Sequence, residues 1–166
     1  MSEAIAREPQ LAPHLVAPAP RALLAPSVVP PLAEREAEGL DLILEGFLLH
    51  HGRPRLLDIP DGGQRVLAGD YCYAQGLARV TESGDLFVVD LLSALISEGS
   101  GLVARGSQSA LPHVWAATTL AIADPELATP LATAIAAQRA GDGAPLGALG
   151  QRFDRLEELT EVMVVA

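Results

Sequence analysis

The sequence predicts an all-α fold, a bundle of about five or six helices, and three observations carry that expectation. Ala (28) and Leu (27), both strong helix formers, make up a third of the 166 residues. Aromatic residues, which favour strands, stand at only 4%. From residue 31 onward, apolar residues recur at helical spacing in one segment after another. With 49% hydrophobic residues and a mean hydropathy of +0.29, the chain is too apolar for a disordered protein. It is long enough to bury a single sizeable core.

Seven of the thirteen prolines lie between Pro9 and Pro31, so residues 1–31 cannot form a continuous helix. The segment is too rich in Leu and Val for a solvated linker. It is expected to be either an extended arm lying on the helical domain of residues 32–166, with one short turn at Arg21–Ala25, or a floppy tail.

The first helix begins at Pro31, a good first-turn residue, and ends near His50–His51 before Gly52 and Pro54. Leu32, Leu40, Ile43, Leu44, Phe47 and Leu48 form its apolar face, with Glu34, Arg35, Glu36, Glu38, Asp41 and Glu45 on the others. Residues 52–63 carry Pro54, Pro60 and Gly62-Gly63 and read as a loop. A second helix fits Gln64 to Thr81, and Ser83-Gly84-Asp85 makes a turn in which Asp85 caps the next helix.

That third helix, Leu86 to about Arg105, is the most apolar segment. Its apolar residues surround the axis, which predicts burial on several sides or a place at an interface. A fourth helix starts around Ser109 and Pro112 and runs to about Ala123. Asp124-Pro125-Glu126 opens a fifth, with an interruption expected at Pro130 and an end by Gly141. Residues 141–150 read as a loop, and Gln151 to Val162 as a short terminal helix.

The net charge of −10 argues against a nucleic-acid surface or docking on an anionic membrane. The single cysteine, Cys72, leaves no internal disulfide and no cysteine-based zinc site. The N-terminus lacks the charge-then-apolar pattern of a signal peptide, and no membrane span is expected. The longest uncharged apolar run, Val114 to Ala123, is about half of the ~20 residues a span needs. A cytoplasmic location is the expectation.

Residues 62–98 carry the most distinctive pattern. Leu67-Ala68-Gly69-Asp70-Tyr71 is followed by Ala74, a small turn, and a helix containing Leu91-Leu92-Ser93, Ile96 and Glu98. Together with the preceding Gly52-Arg53-Pro54, this resembles the trans-polyprenyl diphosphate synthases, over a span of about Gly52 to Arg105. The resemblance implies a truncated isoprenoid-synthase-like bundle.

The departures from that family concern its chemistry. The family holds Mg²⁺ on two Asp-Asp-x-x-Asp motifs, because ionising an allylic diphosphate requires neutralised pyrophosphate charge. Where the first motif belongs, this chain reads Leu48-Leu49-His50-His51-Gly52-Arg53-Pro54. It contains no adjacent Asp pair and no Lys, so the second motif and the family's Gly-Gly-Lys-Arg element are also missing.

What the resemblance retains is the pair of central helices through which family subunits associate. It therefore implies a small, non-catalytic subunit that pairs with a catalytic polyprenyl diphosphate synthase chain and helps shape the product cavity. Mg²⁺ would sit on that partner, and this chain would bind no cofactor of its own. The implied pairing residues are Gly69, Asp70, Tyr71, Tyr73, Ala74 and Leu77 on the second helix. On the third they are Val88, Asp90, Leu91, Leu92 and Leu95. Two other functions are carried alongside: a helical homodimer that binds a prenyl or other lipid chain without chemistry, and a remodelled metal-dependent enzyme using His50, Asp58 and Asp61.

Each remaining candidate has a plainer structural reading. Adjacent His50 and His51 point about 100° apart on a helix and seldom ligate one ion together. Asp58 and Asp61 read as a turn residue and a helix cap. Asp70 and Asp90 lie within apolar helices, where buried carboxylates need partners such as Arg65, Arg79 or Arg105, or an arginine of another subunit. Cys72 reads as a small buried hydrophobe, and Ala74, Gly76 and Ala78 as room for a close helix neighbour. His113 and Trp115 near Ser107 and Ser109 lack the strained Gly-x-Ser-x-Gly turn of a serine hydrolase. Gly99-Ser100-Gly101 lacks the Gly-Lys of a phosphate loop.

Overall fold

A computed structural model of the chain describes residues 5–18, 20–24, 34–82 and 84–163. Among the described residues it is helical, with seven α-helices: α1 (Glu34–His51), α2 (Gly62–Thr81), α3 (Leu86–Ala104), α4 (Leu111–Ala123), α5 (Ala128–Arg139), α6 (Ala144–Gly150) and α7 (Leu156–Met163). Among the described residues there is no strand, only one antiparallel bridge between Leu15 and Leu57.

The first four helices lie where apolar periodicity puts them. Asp61 starts α2 by accepting the Gln64 amide at 2.8 Å, and Asp85 starts α3 by accepting that of Phe87 at 2.9 Å. Gly106 ends α3 with φ of 70°. Its amide donates to the Val103 carbonyl and the Ser107 amide to that of Leu102, a pairing that requires the left-handed conformation glycine adopts freely.

The second half departs from expectation at three places. Pro125–Leu127 forms a 3-10 turn, and α5 then runs through Pro130 without interruption. Pro130 is the third residue of α5, where an amide has no partner inside the helix, so the missing N–H costs little. Residues 144–150, expected as loop, form α6: Asp142 accepts the Ala144 amide at 3.1 Å, and Leu146 is buried at 1% exposure. Burial there overrides the weak helix propensity of Gly147 and Gly150. The terminal helix starts only at Leu156, because residues 151–155 turn so that Phe153 enters the core.

The helix enclosed on all sides is α1, not α3. Every residue from Gly39 to Leu49 is buried, including Asp41 and Glu45, which the sequence pattern places on polar faces. The reason is the N-terminal segment and the 55–57 loop, which cover the side of α1 that would otherwise meet water. Ile5 and Leu11 join Leu42, Leu49, Leu56 and Leu57 in one apolar cluster, and Leu23 and Leu24 join Leu40 and Leu44 in the larger one. Each such fully buried side chain contributes roughly 1.5–3 kcal/mol relative to exposure.

The segment of residues 5–18 is not uniformly extended: it carries a 3-10 turn at Ala12–His14. Its backbone joins the loop after α1 through Val16 N–H to Leu56 O and Asp58 N–H to His14 O, both 2.9 Å. The expected start of α1 at Pro31, part of the expected turn at Arg21–Ala25, and Ser83 lie outside the described residues.

α4 is the other central element, with Trp115 fully buried and tilted against Phe47 of α1 at 5.3 Å between ring centres. α3 lies on the outside of this core. It buries Val88, Leu92, Leu95, Glu98, Gly99 and Leu102, a single stripe at helical spacing, and leaves the opposite side open.

Candidate functional site

The region singled out by the sequence is built on a tight antiparallel pair of helices. Glycines spaced seven apart on α1 (Gly39, Gly46) meet glycines spaced seven apart on α2 (Gly76, Gly69). A Cβ placed at Gly39 would lie 2.8 Å from the Gly76 carbonyl oxygen, and one at Gly46 would lie 2.9 Å from that of Gly69. The backbones therefore touch with no side chain between them. Gly69, expected at a subunit interface, is instead buried inside the chain against Gly46 and His50. Gly76 supplies the close approach expected of it, whereas Ala74 and Ala78 are exposed.

Beside this seam, His50 stacks on Tyr73 with ring centres 5.5 Å apart and planes 11° from parallel. His50 Nε2 also lies 3.2 Å from Asp70 Oδ1. The two do not meet at hydrogen-bonding angles, so the contact is one of proximity. Asp70 is 66% exposed rather than buried, and its neighbour is His50 rather than an arginine. Burial, and secondarily Asp70, pushes the Tyr73 hydroxyl well above its ordinary range. His51 is held below the usual histidine value by burial and then by His50.

The remaining residues of the implied pairing face divide into two sets. Val88, Leu92 and Leu95 belong to the chain's own core. Tyr71, Leu77 and Leu91 are half-buried, while Ala74 and Asp90 are exposed. Asp90 therefore needs no internal partner, and Arg105 serves Glu98 instead. Arg79 lies 3.6 Å from Glu38 and donates to the Gln75 carbonyl. What the two helices leave uncovered includes Leu67 at 69% and Leu86 at 75% exposure. Ala74 and Ala78 on α2 and Asp90 and Ala94 on α3 are exposed too.

Three buried carboxylates escaped the sequence reading. Asp41 accepts the Leu23 amide at 2.7 Å and lies 3.5 Å from the Arg55 guanidinium. Glu45 accepts the amides of Arg55, Leu56 and Leu57 at 2.8 to 3.2 Å; burial nonetheless raises its carboxyl above the ordinary value. Glu98 joins α3 to α5 through Arg105 at 2.9 Å and Arg139 at 2.6 Å. Arg155 completes the fastening of the N-terminal segment by donating to the Ala22 carbonyl at 2.6 Å. The available signal was a pair of acids four apart inside the apolar run Leu40 to Leu49.

The other candidates are accounted for locally. Asp61 is the cap of α2, Asp58 is exposed, and among the described residues no three His, Cys, Asp or Glu side chains are grouped to hold a metal ion. Cys72 is buried, and its thiol is pushed up to about 12 by burial and then by Glu45. His113 and Ser109 line a shallow cleft of about 340 Å³, with the His113 ring lowered by burial. Its buried Nδ1 finds no partner, so it carries no orienting acid of the kind a nucleophilic serine requires.

Among the described residues, α3 is the one helix long and apolar enough to cross a membrane. It carries the arginine-bound Glu98 and packs its Val88–Leu102 stripe into the core. No family model matches the sequence, and neither the curated proteins nor the solved structures contain a chain that matches it.

Proposed function

We propose that this chain is a non-catalytic subunit that pairs, through the outer faces of α2 and α3, with a larger catalytic trans-polyprenyl diphosphate synthase chain in isoprenoid biosynthesis. One observation carries the reading. On α3, the most apolar helix, only a third of the residues are fully buried, and Leu86 at 75% exposure opens an outer face that continues through Asp90, Ser93, Ala94 and Ser97. A chain that leaves this side of a core helix uncovered offers it to a partner, as obligate subunits do. The resemblance of residues 52–105 to the family, together with the missing aspartate motifs, supports a partner that brings the metal chemistry. On this reading the complex is cytoplasmic and Mg²⁺ is held by the partner.

The test is to isolate the tagged chain from its host and identify what accompanies it by mass. A companion carrying two aspartate-rich motifs is expected. The purified pair should elongate an allylic diphosphate with isopentenyl diphosphate and Mg²⁺, while this chain alone stays silent. Recovery only as a self-dimer, or turnover by this chain alone, would overturn the proposal.

A further inference from the structure

A cleft of about 430 Å³ opens between the N-terminal segment and the first turns of α2. Its apolar surface comes from Leu11, Ile59, Leu67 and Ala68, with Leu67 the most exposed of them. Gln64, Leu67, Ala68 and Tyr71 follow one another at the spacing of a single helix face, so one wall is rigid. The size falls in the range of small-molecule sites.

Glu8 is the one carboxylate among the described polar groups of this cleft, beside Gln10, His14, Gln64 and Tyr71. Glu8 is half-buried, and among the described residues no ion pair or hydrogen bond reaches its carboxylate. Among the described residues no arginine lines the cleft, and the chain has no lysine. His14 Nδ1 lies 3.1 Å from the Asp58 carbonyl oxygen. A carbonyl only accepts, so His14 donates this hydrogen bond from Nδ1. Across from Glu8, the Tyr71 hydroxyl is raised by burial and then by the Glu8 charge, which places that charge within electrostatic reach of α2. A half-buried carboxylate at the edge of an apolar cleft can take a ligand cation as a charge-assisted partner.

We propose that this cleft binds a small cationic amphiphile, a primary ammonium set against Glu8 on an apolar body that covers Leu11, Ile59, Leu67 and Ala68. The inference rests on the N-terminal segment and not on α3, and shares only Leu67 and Tyr71 with the α2 residues considered for pairing.

n-Octylammonium is the probe, titrated into the full chain labelled with ¹⁵N, with 1-octanol and octanoate as matched controls. Saturable shifts of the Leu67, Ala68 and Tyr71 amides are expected with the ammonium. Octanol should bind about tenfold more weakly, the difference made by one charge-assisted contact. Octanoate should not saturate. In Glu8→Gln, ammonium affinity should fall to that of octanol, with the unfolding midpoint unchanged. Absence of a saturable shift, equal binding of octanoate, or undiminished binding by a folded Glu8→Gln chain would overturn the assignment. If Glu8→Gln does not fold, the three-probe comparison on the unaltered chain decides the matter.

Discussion

Replacing Gly76 by Ala tests whether the α1–α2 seam is the close backbone contact described above. The new Cβ would lie 2.6 Å from Ile43 Cγ1, 2.7 Å from the Gly39 carbonyl oxygen and 3.0 Å from the Ile43 amide nitrogen. Ordinary contact begins at 3.4 Å, so the carbonyl contact is short by about 0.7 Å. A side-chain tip can swing away, but a helix carbonyl cannot, so the helices must separate. A gap of that size forfeits about a quarter to a half of the dispersion energy of each seam contact it opens. Overpacking of this kind costs about 2–3 kcal/mol, while Ala in place of Gly returns about 1 kcal/mol of helix propensity. The net expectation for Gly76→Ala is a loss of about 1–2 kcal/mol.

Gly147→Ala is the control. It changes the same residue type within α6, where a Cβ meets nothing within 4 Å, so a gain of about 0.5–1 kcal/mol is expected. Urea unfolding midpoints measured for both at unchanged slope give the comparison directly. If Gly76→Ala were as stabilising as Gly147→Ala, the helices would not meet backbone to backbone, and the account of the hairpin would be wrong.

Three further outcomes follow from the buried groups. Glu45→Ala leaves the amides of Arg55, Leu56 and Leu57 without their acceptor and should cost about 3 kcal/mol or more by denaturant unfolding; Glu45→Gln should cost less, because it retains one oxygen. His51 and His113 both have values held below 6.5 by burial, so the unfolded chain takes up protons first as pH falls. Their stability contribution is therefore intact above pH 6.5 and declines below it, and the slope of stability against pH between 7 and 5 should flatten in a His51→Gln, His113→Gln double variant. Cys72, with its thiol at about 12 and no exposure, should resist a thiol reagent at pH 8 in the native chain and react once denaturant is added; prompt labelling of the native chain would contradict its burial.

The helices from α1 to α4 were legible because their signals are local: apolar period, a capping Asp at residues 61 and 85, and a glycine at 106. α6 was not legible, because Gly143, Gly147 and Gly150 suggest a loop on propensity alone. Leu146 reverses that only through burial against elements distant in sequence. Asp41 and Glu45 failed for the same reason. In isolation, two acids on α1 mark a wet face. They become interior once Leu23, Arg55 and Leu56 arrive from 10 to 18 residues away with backbone amides to donate. Gly69 was read as part of a contact between subunits, yet its partner is Gly46 of the same chain. The heptad spacing of Gly39 with Gly46 and of Gly69 with Gly76 was present in the sequence and would have identified that partner.

These internal assignments narrow what any partner can use. Gly69, Val88, Leu92 and Leu95 are spent on this chain's own core, so a pairing surface must be made of what lies outward: Leu67, Ala74 and Ala78 on α2, and Leu86, Asp90 and Ala94 on α3. Ser93 and Ser97 on α3 and the carboxylate of Asp70 on α2 are exposed as well, and Asp90 is the carboxylate of the α3 part. Asp90 then acquires a specific meaning for the proposed subunit, because covering it without a cation would bury an unpaired charge. A partner that fits should present an arginine or lysine opposite Asp90. Asp90→Arg should accordingly abolish co-purification through like-charge repulsion while leaving the exposed site, and so the folded chain's unfolding midpoint, unaffected. If the reversed charge left the complex intact, pairing would have to lie on a different face of the molecule.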